Sequence, residues 1–290
     1  MPVPLPPALS LFLDVLRCPA CRPTRRLHPG PGVLRCPAGH TFDLARHGYV
    51  NLLTGARATS GDDADMVRAR SRFLATGAYA PLREATVRLA ADAVPGAAHA
   101  APGRPPTVLD AGCGTGYYLA GVLDRLPGAR GVGLDSSARA LRTAARAHDR
   151  AAALAGDVFR PLPLDDGVAD VVLDVFAPRN PAEYHRVLHP AGRLIVVRPT
   201  GRHLAELRDR WPSMVAVDPA KEERLRRALG PRFEAAATER VEYRAALAGP
   251  AVQDLVAMTP SARHAWRTPD DRDPATRVTV SVLATTYRPR

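Results

Sequence analysis

Val108-Leu109-Asp110-Ala111-Gly112-Cys113-Gly114-Thr115-Gly116 is the stretch that decides how the rest of the chain reads. A short apolar run stops at a carboxylate, and glycines then occupy every second position. Glycine lacks a Cβ, so such a loop can turn tightly and let a ligand approach the backbone closely. Working outward, residues 117–126 read as a helix. GVGLD (131–135) reads as a second strand, and an Ala/Arg-rich helix follows over 137–148. AALAGD (152–157), VADVVLDVFA (168–177) and GRLIVVRPT (192–200) read as three more strands, with a helix near 181–188. Strands alternating with helices predict an α/β fold whose parallel, Rossmann-like sheet is covered on both faces. TRVTVSVLATTYR (276–288) alternates without a following helix, which predicts antiparallel pairing at the end of that sheet.

Two carboxylates support a cofactor reading. Asp135 closes the second strand, where it can accept from both ribose hydroxyls, and Asp157 closes the third, where a side chain can meet an adenine edge. Dinucleotide sites use G-x-G-x-x-G, with the pyrophosphate at a helix N-terminus. Here the spacing is G-x-G-x-G, and Tyr117 stands where that pattern needs its third glycine. The arrangement resembles the signature of class I S-adenosylmethionine-dependent methyltransferases. That resemblance implies cofactor contacts from Asp110, Gly112, Gly114, Gly116, Asp135 and Asp157, with Asp110 toward the methionine end. Cys113 reads as a small packing residue.

The other three of the chain's four cysteines lie together: Cys18-x2-Cys21, then Cys36-x3-His40. Two ligand pairs on tight knuckles can place four donors tetrahedrally around Zn²⁺. Pro19, Pro37 and Gly39 suit the knuckle turns, and HPGPG (28–32) reads as a hairpin tip. His28 and His47 compete with His40, which fits the spacing best. With no open fourth position, the expected zinc is structural, supplying folding energy to a segment too small for a core.

The chain carries 40 cationic and 29 acidic residues, a net charge of +11, and Lys221 is its single lysine. Codon bias explains arginine in place of lysine but not the excess. Residues 1–91 hold 12 arginines against 6 acids, so over half of the net charge sits in the first third. A concentrated basic surface favours a polyanionic partner through counterion release. No apolar run reaches the roughly 18 residues of a membrane span, and the proline-rich start lacks a secretory n-region. A cytoplasmic protein is expected.

Residues 1–13 read as a flexible tail, 14–55 as a zinc-ribbon domain and 56–91 as a helical connector interrupted at Pro81. Residues 92–106 are Pro/Gly/Ala-rich and read as a linker, and 107–290 as the methyltransferase domain.

The pairing of CPAC…CPAGHTFDLARHGYVNLL (18–53) with DAGCGTG resembles the bacterial 23S rRNA (guanine-N(1))-methyltransferases. DMVRARSRFLATGAYAPL (65–82), VFAPRNPAEYHRVLHPAGRL (175–194), PTGRHLAEL (199–207) and MTP (258–260) extend the resemblance over nearly the whole chain. VFAPRNP is most similar to the Gram-positive branch, which includes tylosin- and mycinamicin-type resistance enzymes. The resemblance implies an RNA-recognition ribbon bearing Cys18, Cys21, Cys36 and His40. It also implies a homodimer and methylation of a guanine in the helix 35 hairpin of 23S rRNA. The N(1) of guanine is a poor nucleophile until it loses its proton. Asp174, near the end of the fourth strand, is the candidate acceptor; capping the helix near Pro181 is its other reading. Phe176 can stack on the guanine or belong to the core. Tyr49 can stack on a base, while Arg46, Arg68, Arg70 and Arg72 can meet phosphates; the opposing reading is a solvated helix face with Tyr49 in the ribbon core. Three rivals remain: a small-molecule methyltransferase with a structural ribbon, a non-catalytic ribbon RNA-binding protein, and an NAD enzyme.

Overall fold

The computed structural model describes residues 2–21, 25–55, 62–94, 104–211, 214–215, 218, 220–259 and 275–290. In chain order they form α1 (Pro7–Ser10), then the short strands β1 (His28–Gly30), β2 (Val33–Arg35), β3 (Thr41–Asp43) and β4 (Tyr49–Asn51). The helices α2 (Ala64–Ala75) and α3 (Ala80–Ala93) follow. Then come β5 (Thr107–Ala111), α4 (Tyr117–Arg125), β6 (Arg130–Asp135), α5 (Ala138–Ala144), β7 (Ala151–Ala155), β8 (Ala169–Val175) and α6 (Pro181–Val187). The chain closes with β9 (Leu188–Pro199), α7 (Ala205–Arg210), α8 (Lys221–Leu229), β10 (Phe233–Leu247), α9 (Gly249–Ala257) and β11 (Thr276–Pro289).

The large sheet runs β10-β11-β9-β8-β5-β6-β7-β4. Its strands from β4 to β9 pair in parallel, and β11 and β10 add antiparallel, as the alternation over 276–288 predicts. β5 is central, with β6 on one side and β8 on the other. The connections diverge there, and such a switch point opens a crevice at the carboxyl ends of the strands. Alternate side chains feed two cores. Leu109, Val132, Val172 and Val196 face one layer with Tyr184 and Leu225, while Val108, Val171, Leu173 and Val197 face the other with Phe73, Leu82 and Leu123.

The structure differs from the sequence reading in four places. The expected tail is packed: Leu9 and Phe12 are buried, the Arg130 guanidinium lies 4.8 Å from the Phe12 ring centroid, and it pairs with Asp14 at 2.8 Å. Apolar residues at 9, 12, 13, 15 and 16 have the spacing of a buried stripe, which the prolines before them obscure. Second, β4, inside the expected ribbon segment, pairs with β7 of the large sheet, so that sheet spans the anticipated boundary. Third, the helix expected over 137–148 stops at Ala144, and β9 starts at Leu188, directly after α6. Last, the expected hairpin tip 28–32 splits: 28–30 form β1 and only 31–32 turn, with Gly32 at φ +73°. The break at Pro81 is present, with α2 ending before Gly77 and Pro81 in the first turn of α3. Of the expected linker, residues 95–103 lie outside the described residues, as does Pro260 of the MTP run.

Candidate functional site

The carboxyl ends of β5, β6 and β8 wall a cavity of about 330 Å³. Its floor is the glycine loop. Gly112 and Gly116 have φ of +85° and +80°, a region costly for side-chain-bearing residues. A Cβ on Gly112 would stand 2.6 Å from that of Ala177, and one on Gly116 would stand 2.9 Å from that of Ala147. The loop is thus glycine for both conformation and space.

Asp135 organises the loop. Its Oδ2 accepts from the Gly114 amide and its Oδ1 from the Ser137 amide, both at 2.8 Å. Ser137 caps α5 and donates its hydroxyl to the Asp62 carbonyl at 2.7 Å, fastening the connector to the sheet. Both Asp135 oxygens retain lone pairs for a pair of hydroxyls. Asp157 also lines the cavity, its Oδ1 accepting from the Phe159 amide at 2.9 Å.

Asp110 is the informative residue. It is 1% exposed, lines the cavity, and its Oδ2 has no hydrogen-bond partner. Burial, then the charges of Asp135 and Asp174, push its pKa up to about 8. A buried carboxylate oxygen without a donor fits a cationic ligand group such as the ammonium of a methionine moiety. The residues present therefore fit S-adenosylmethionine. A folded pKa above the unfolded one means the penalty is absent below about pH 4 and grows as pH rises toward 8. Asp110→Asn is expected to raise the melting temperature of the cofactor-free protein by about 3 °C or more at pH 8 and by little at pH 4. Calorimetric melts at the two pH values check this; an equal shift at both contradicts it.

Sequence reasoning missed several lining residues. The Arg70 guanidinium, expected on an RNA face, is held by Asp62 at 2.7 Å and by the Met258 carbonyl at 2.9 Å, beside Gly114. It belongs to the cavity wall. Tyr79 is buried, with its hydroxyl 3.3 Å from His203 Nε2. His203 Nδ1 accepts from the Ser281 amide at 3.2 Å, and burial lowers the His203 pKa to about 4, so Nε2 carries the proton and donates to Tyr79. The Tyr79 proton is then left for a ligand. PTGRHLAEL, which contains His203, was the available signal; without the fold nothing placed it behind Tyr79, which lines the cavity.

The remaining candidates separate. Arg72 makes a bidentate brace to Asp254 of α9, while Arg68 stays exposed beside Asp65. These arginines share no common face with Arg70. Tyr49 packs against the cluster of Cys113, Leu141 and Ala153, so its ring is committed to packing. Arg46 is exposed and joins His47, Arg142 and Arg146 in a cationic cluster; burial, then the charges of Arg142, Arg46 and Arg146, lower the His47 pKa. Asp174, expected to accept a proton at the pocket, is 0% exposed and does not line the cavity. Strand alternation turns it to the opposite sheet face, where Tyr184 donates to it at 3.2 Å and Arg179 lies 3.4 Å away. That geometry does not fit a base touching the target. Phe176, in contrast, is 38% exposed at φ +56°, a strained conformation that holds its ring at the cavity's edge.

In the ribbon, the Cys18, Cys21, Cys36 and His40 donor atoms lie within 4.8 Å of one another. Cys21 and Cys36 Sγ are 3.6 Å apart, and His40 Nδ1 is 3.7, 3.5 and 3.3 Å from the three sulfurs. Tetrahedral zinc with bonds of ~2.3 Å to sulfur and ~2.0 Å to nitrogen places donors about 3.5–3.8 Å apart. The set fits zinc.

A glycine loop at the switch point, carboxylates closing β5 and β6, and this donor set define a methyltransferase with a zinc ribbon. The comparisons agree: a methyltransferase-domain family model matches residues 108–195, and the model described as RlmA, N-terminal, matches residues 16–57. The 23S rRNA (guanine(748)-N(1))-methyltransferase of Streptomyces fradiae is 45% identical over 94% of this chain and 96% of its own. A Micromonospora griseorubida protein, provisionally named a 23S rRNA (guanine-N(1))-methyltransferase, is 46% identical over 96% and 98%. The chain belongs to the 23S rRNA (guanine-N(1))-methyltransferase family. Among solved structures, a TehB-like S-adenosylmethionine-dependent methyltransferase from Corynebacterium glutamicum matches with a TM-score of 0.46 and 15% identity, over 77% of this chain and 98% of that one. Among the described residues no helix is long and apolar enough to cross a membrane.

Proposed function

We propose that this protein transfers a methyl group from S-adenosylmethionine to N(1) of a guanine in the helix 35 hairpin loop of 23S rRNA. The observation that supports this most is end-to-end similarity, ribbon included, to relatives named 23S rRNA (guanine-N(1))-methyltransferases. When bound, the cofactor supplies an activated sulfonium methyl. This chain's residues supply placement. Asp135 would hold the ribose and Asp110 the ammonium, while Phe176, Ala177 and Pro178 wall the end where a target base arrives. Alignment alone contributes much of such a rate. A loop guanine is also less costly to extract than a paired one. The family resemblance places this hairpin in the macrolide-lined exit tunnel, so resistance to tylosin-type drugs accompanies this reading. Its test is tylosin sensitivity of a susceptible host expressing the protein. The family resemblance also supports a homodimer, which light scattering would show as about twice 31.0 kDa.

The experiment is transfer of labelled methyl to a helix 35 hairpin transcript. Transfer that vanishes when the loop guanines are replaced by adenines is expected. Transfer to neither the hairpin nor intact 23S rRNA, by protein that binds the cofactor, sinks the target and favours a small-molecule substrate. The ribbon-side cluster makes a separate prediction. Replacing Arg46, Arg142 and Arg146 together by alanine is expected to weaken hairpin binding and to lower the salt slope by about 2, since each phosphate contact contributes roughly 0.7–0.9. Cofactor affinity stays unchanged. An unaltered slope removes this cluster from the RNA face.

A further inference from the structure

Phe176 is shared by two cavities. Beyond it lies a second space of about 650 Å³, with walls from Tyr79, His203 and Phe176 on one side and from α8 on the other. Its cations are unevenly committed. Arg224 pairs with Asp218 at 2.7 Å, Arg208 donates to the carbonyls of Gly201 and His203, and Arg70 is bound to Asp62. Lys221 and Arg179 differ. Lys221 is half-buried, and its ammonium makes no hydrogen bond or ion pair among the described residues. Arg179 is 17% exposed; its Nε is buried with no hydrogen-bond partner, facing Asp174 at 3.4 Å without bonding geometry. Burial and the charges of Arg179, Arg224 and Arg198 lower the Lys221 pKa. Two neighbouring cations thus share the buried Asp174 carboxylate, because the other acids within reach, Asp218 and Glu222, are exposed and already paired with Arg224 and Arg198. This is also where the chain spends its only lysine. Uncompensated positive charge is costly in a partly desolvated place, and an anionic ligand removes that cost.

We propose that this second cavity receives the extruded guanylate, and that Lys221 and Arg179 hold one of its anionic oxygens. This rests on the rRNA reading above. The oxygen is either a phosphate oxygen or the guanine O6, which gains negative charge when the N(1) proton leaves to water and loses it as N(1) bonds the methyl and the sulfonium carbon–sulfur bond breaks, releasing S-adenosylhomocysteine. The base lies against Phe176, with its pairing edge toward the cofactor cavity. Asp174 then acts as the positioning residue that fixes Arg179 from behind, which accounts for a carboxylate buried away from both cavities.

Steady-state kinetics of Lys221→Ala on the hairpin transcript, with S-adenosylhomocysteine calorimetry and a pH–rate profile, tests the assignment. A fall in kcat/KM of roughly tenfold to a hundredfold is expected, the range for a charge-assisted hydrogen bond. S-adenosylhomocysteine affinity stays within twofold, and Lys221→Arg recovers most of the loss. A rise in KM with an unmoved pH profile identifies the phosphate. A fall in kcat, with the profile's midpoint moved upward, identifies O6, because removing the cation makes N(1) harder to deprotonate. Asp174→Asn should reproduce the same pattern more weakly. A Lys221→Ala enzyme within threefold of wild type, or one that loses cofactor affinity in parallel, overturns the proposal. Wild-type protein that methylates no rRNA overturns the parent reading instead, so the two failures are distinguishable.

Discussion

Asp135→Ala is expected to weaken S-adenosylhomocysteine binding by at least roughly a hundredfold, the loss of about 3 kcal/mol carried by two hydrogen bonds to a charged acceptor. The carboxylate does two things at once. It ties the Gly114 amide and the Ser137 amide into one loop conformation, and it lines the cavity, where its remaining lone pairs would hold the ribose in the reading proposed above. Alanine removes both functions and leaves two amides without their acceptor. Asp135→Asn keeps one acceptor oxygen and should fall between. Because Ser137 also anchors the Asp62 carbonyl, the variant's connector should exchange amide hydrogens faster. Calorimetry with the alanine variant decides: affinity within threefold of wild type would mean that the ribose is held elsewhere.

Loss of the ribbon metal should have the second large effect. In peptide-sized domains zinc supplies on the order of 10–16 kcal/mol of folding free energy. Here the ribbon is not isolated. Leu27, Leu34 and Phe42 share a continuous core with Leu154, Leu162 and Leu164, and the backbone of Arg17 donates to Pro163 at 2.9 Å. Opening the knuckles therefore exposes one edge of the main core as well. Cys36→Ser, or exhaustive chelation, is expected to lower the melting temperature by at least about 8 °C, taking roughly 2–4 °C per kcal/mol at this size. It should abolish hairpin binding, while cofactor affinity stays within about fivefold. Metal content and scanning calorimetry on the same sample provide the check. Metal-free protein with an unchanged midpoint and unchanged RNA affinity would contradict the structural role.

What the sequence made legible follows from what is local. The glycine loop, the carboxylates ending β6 and following β7, and the two ligand pairs each depend on backbone turns within a few residues, so spacing reveals them. The antiparallel strand at 276–288 was legible from alternation alone. What stayed hidden depends on partners far along the chain. β4 is three residues long and becomes a strand only by pairing with β7, about a hundred positions away. Arg70, Arg68 and Arg72 look alike on one helix, yet Asp62, Asp65 and Asp254 send them to different tasks. Asp174 is one residue from the cavity-lining Val175, and strand alternation alone turns it to the other face. The second cavity takes residues from the VFAPRNP, PTGRHLAEL and MTP runs, but nothing local shows that they converge, because α2, the end of β9 and α8 meet there only in the folded chain.

The central claim is methyl transfer to N(1) of one loop guanine, and primer extension reads it directly, because a methyl on the pairing edge stops reverse transcription. Intact 23S rRNA from a strain lacking the modification would be incubated with this protein and S-adenosylmethionine. The account predicts a single new stop within the helix 35 loop, absent with Asp135→Ala. Extension through that loop without a stop, from protein shown to bind the cofactor, would contradict it.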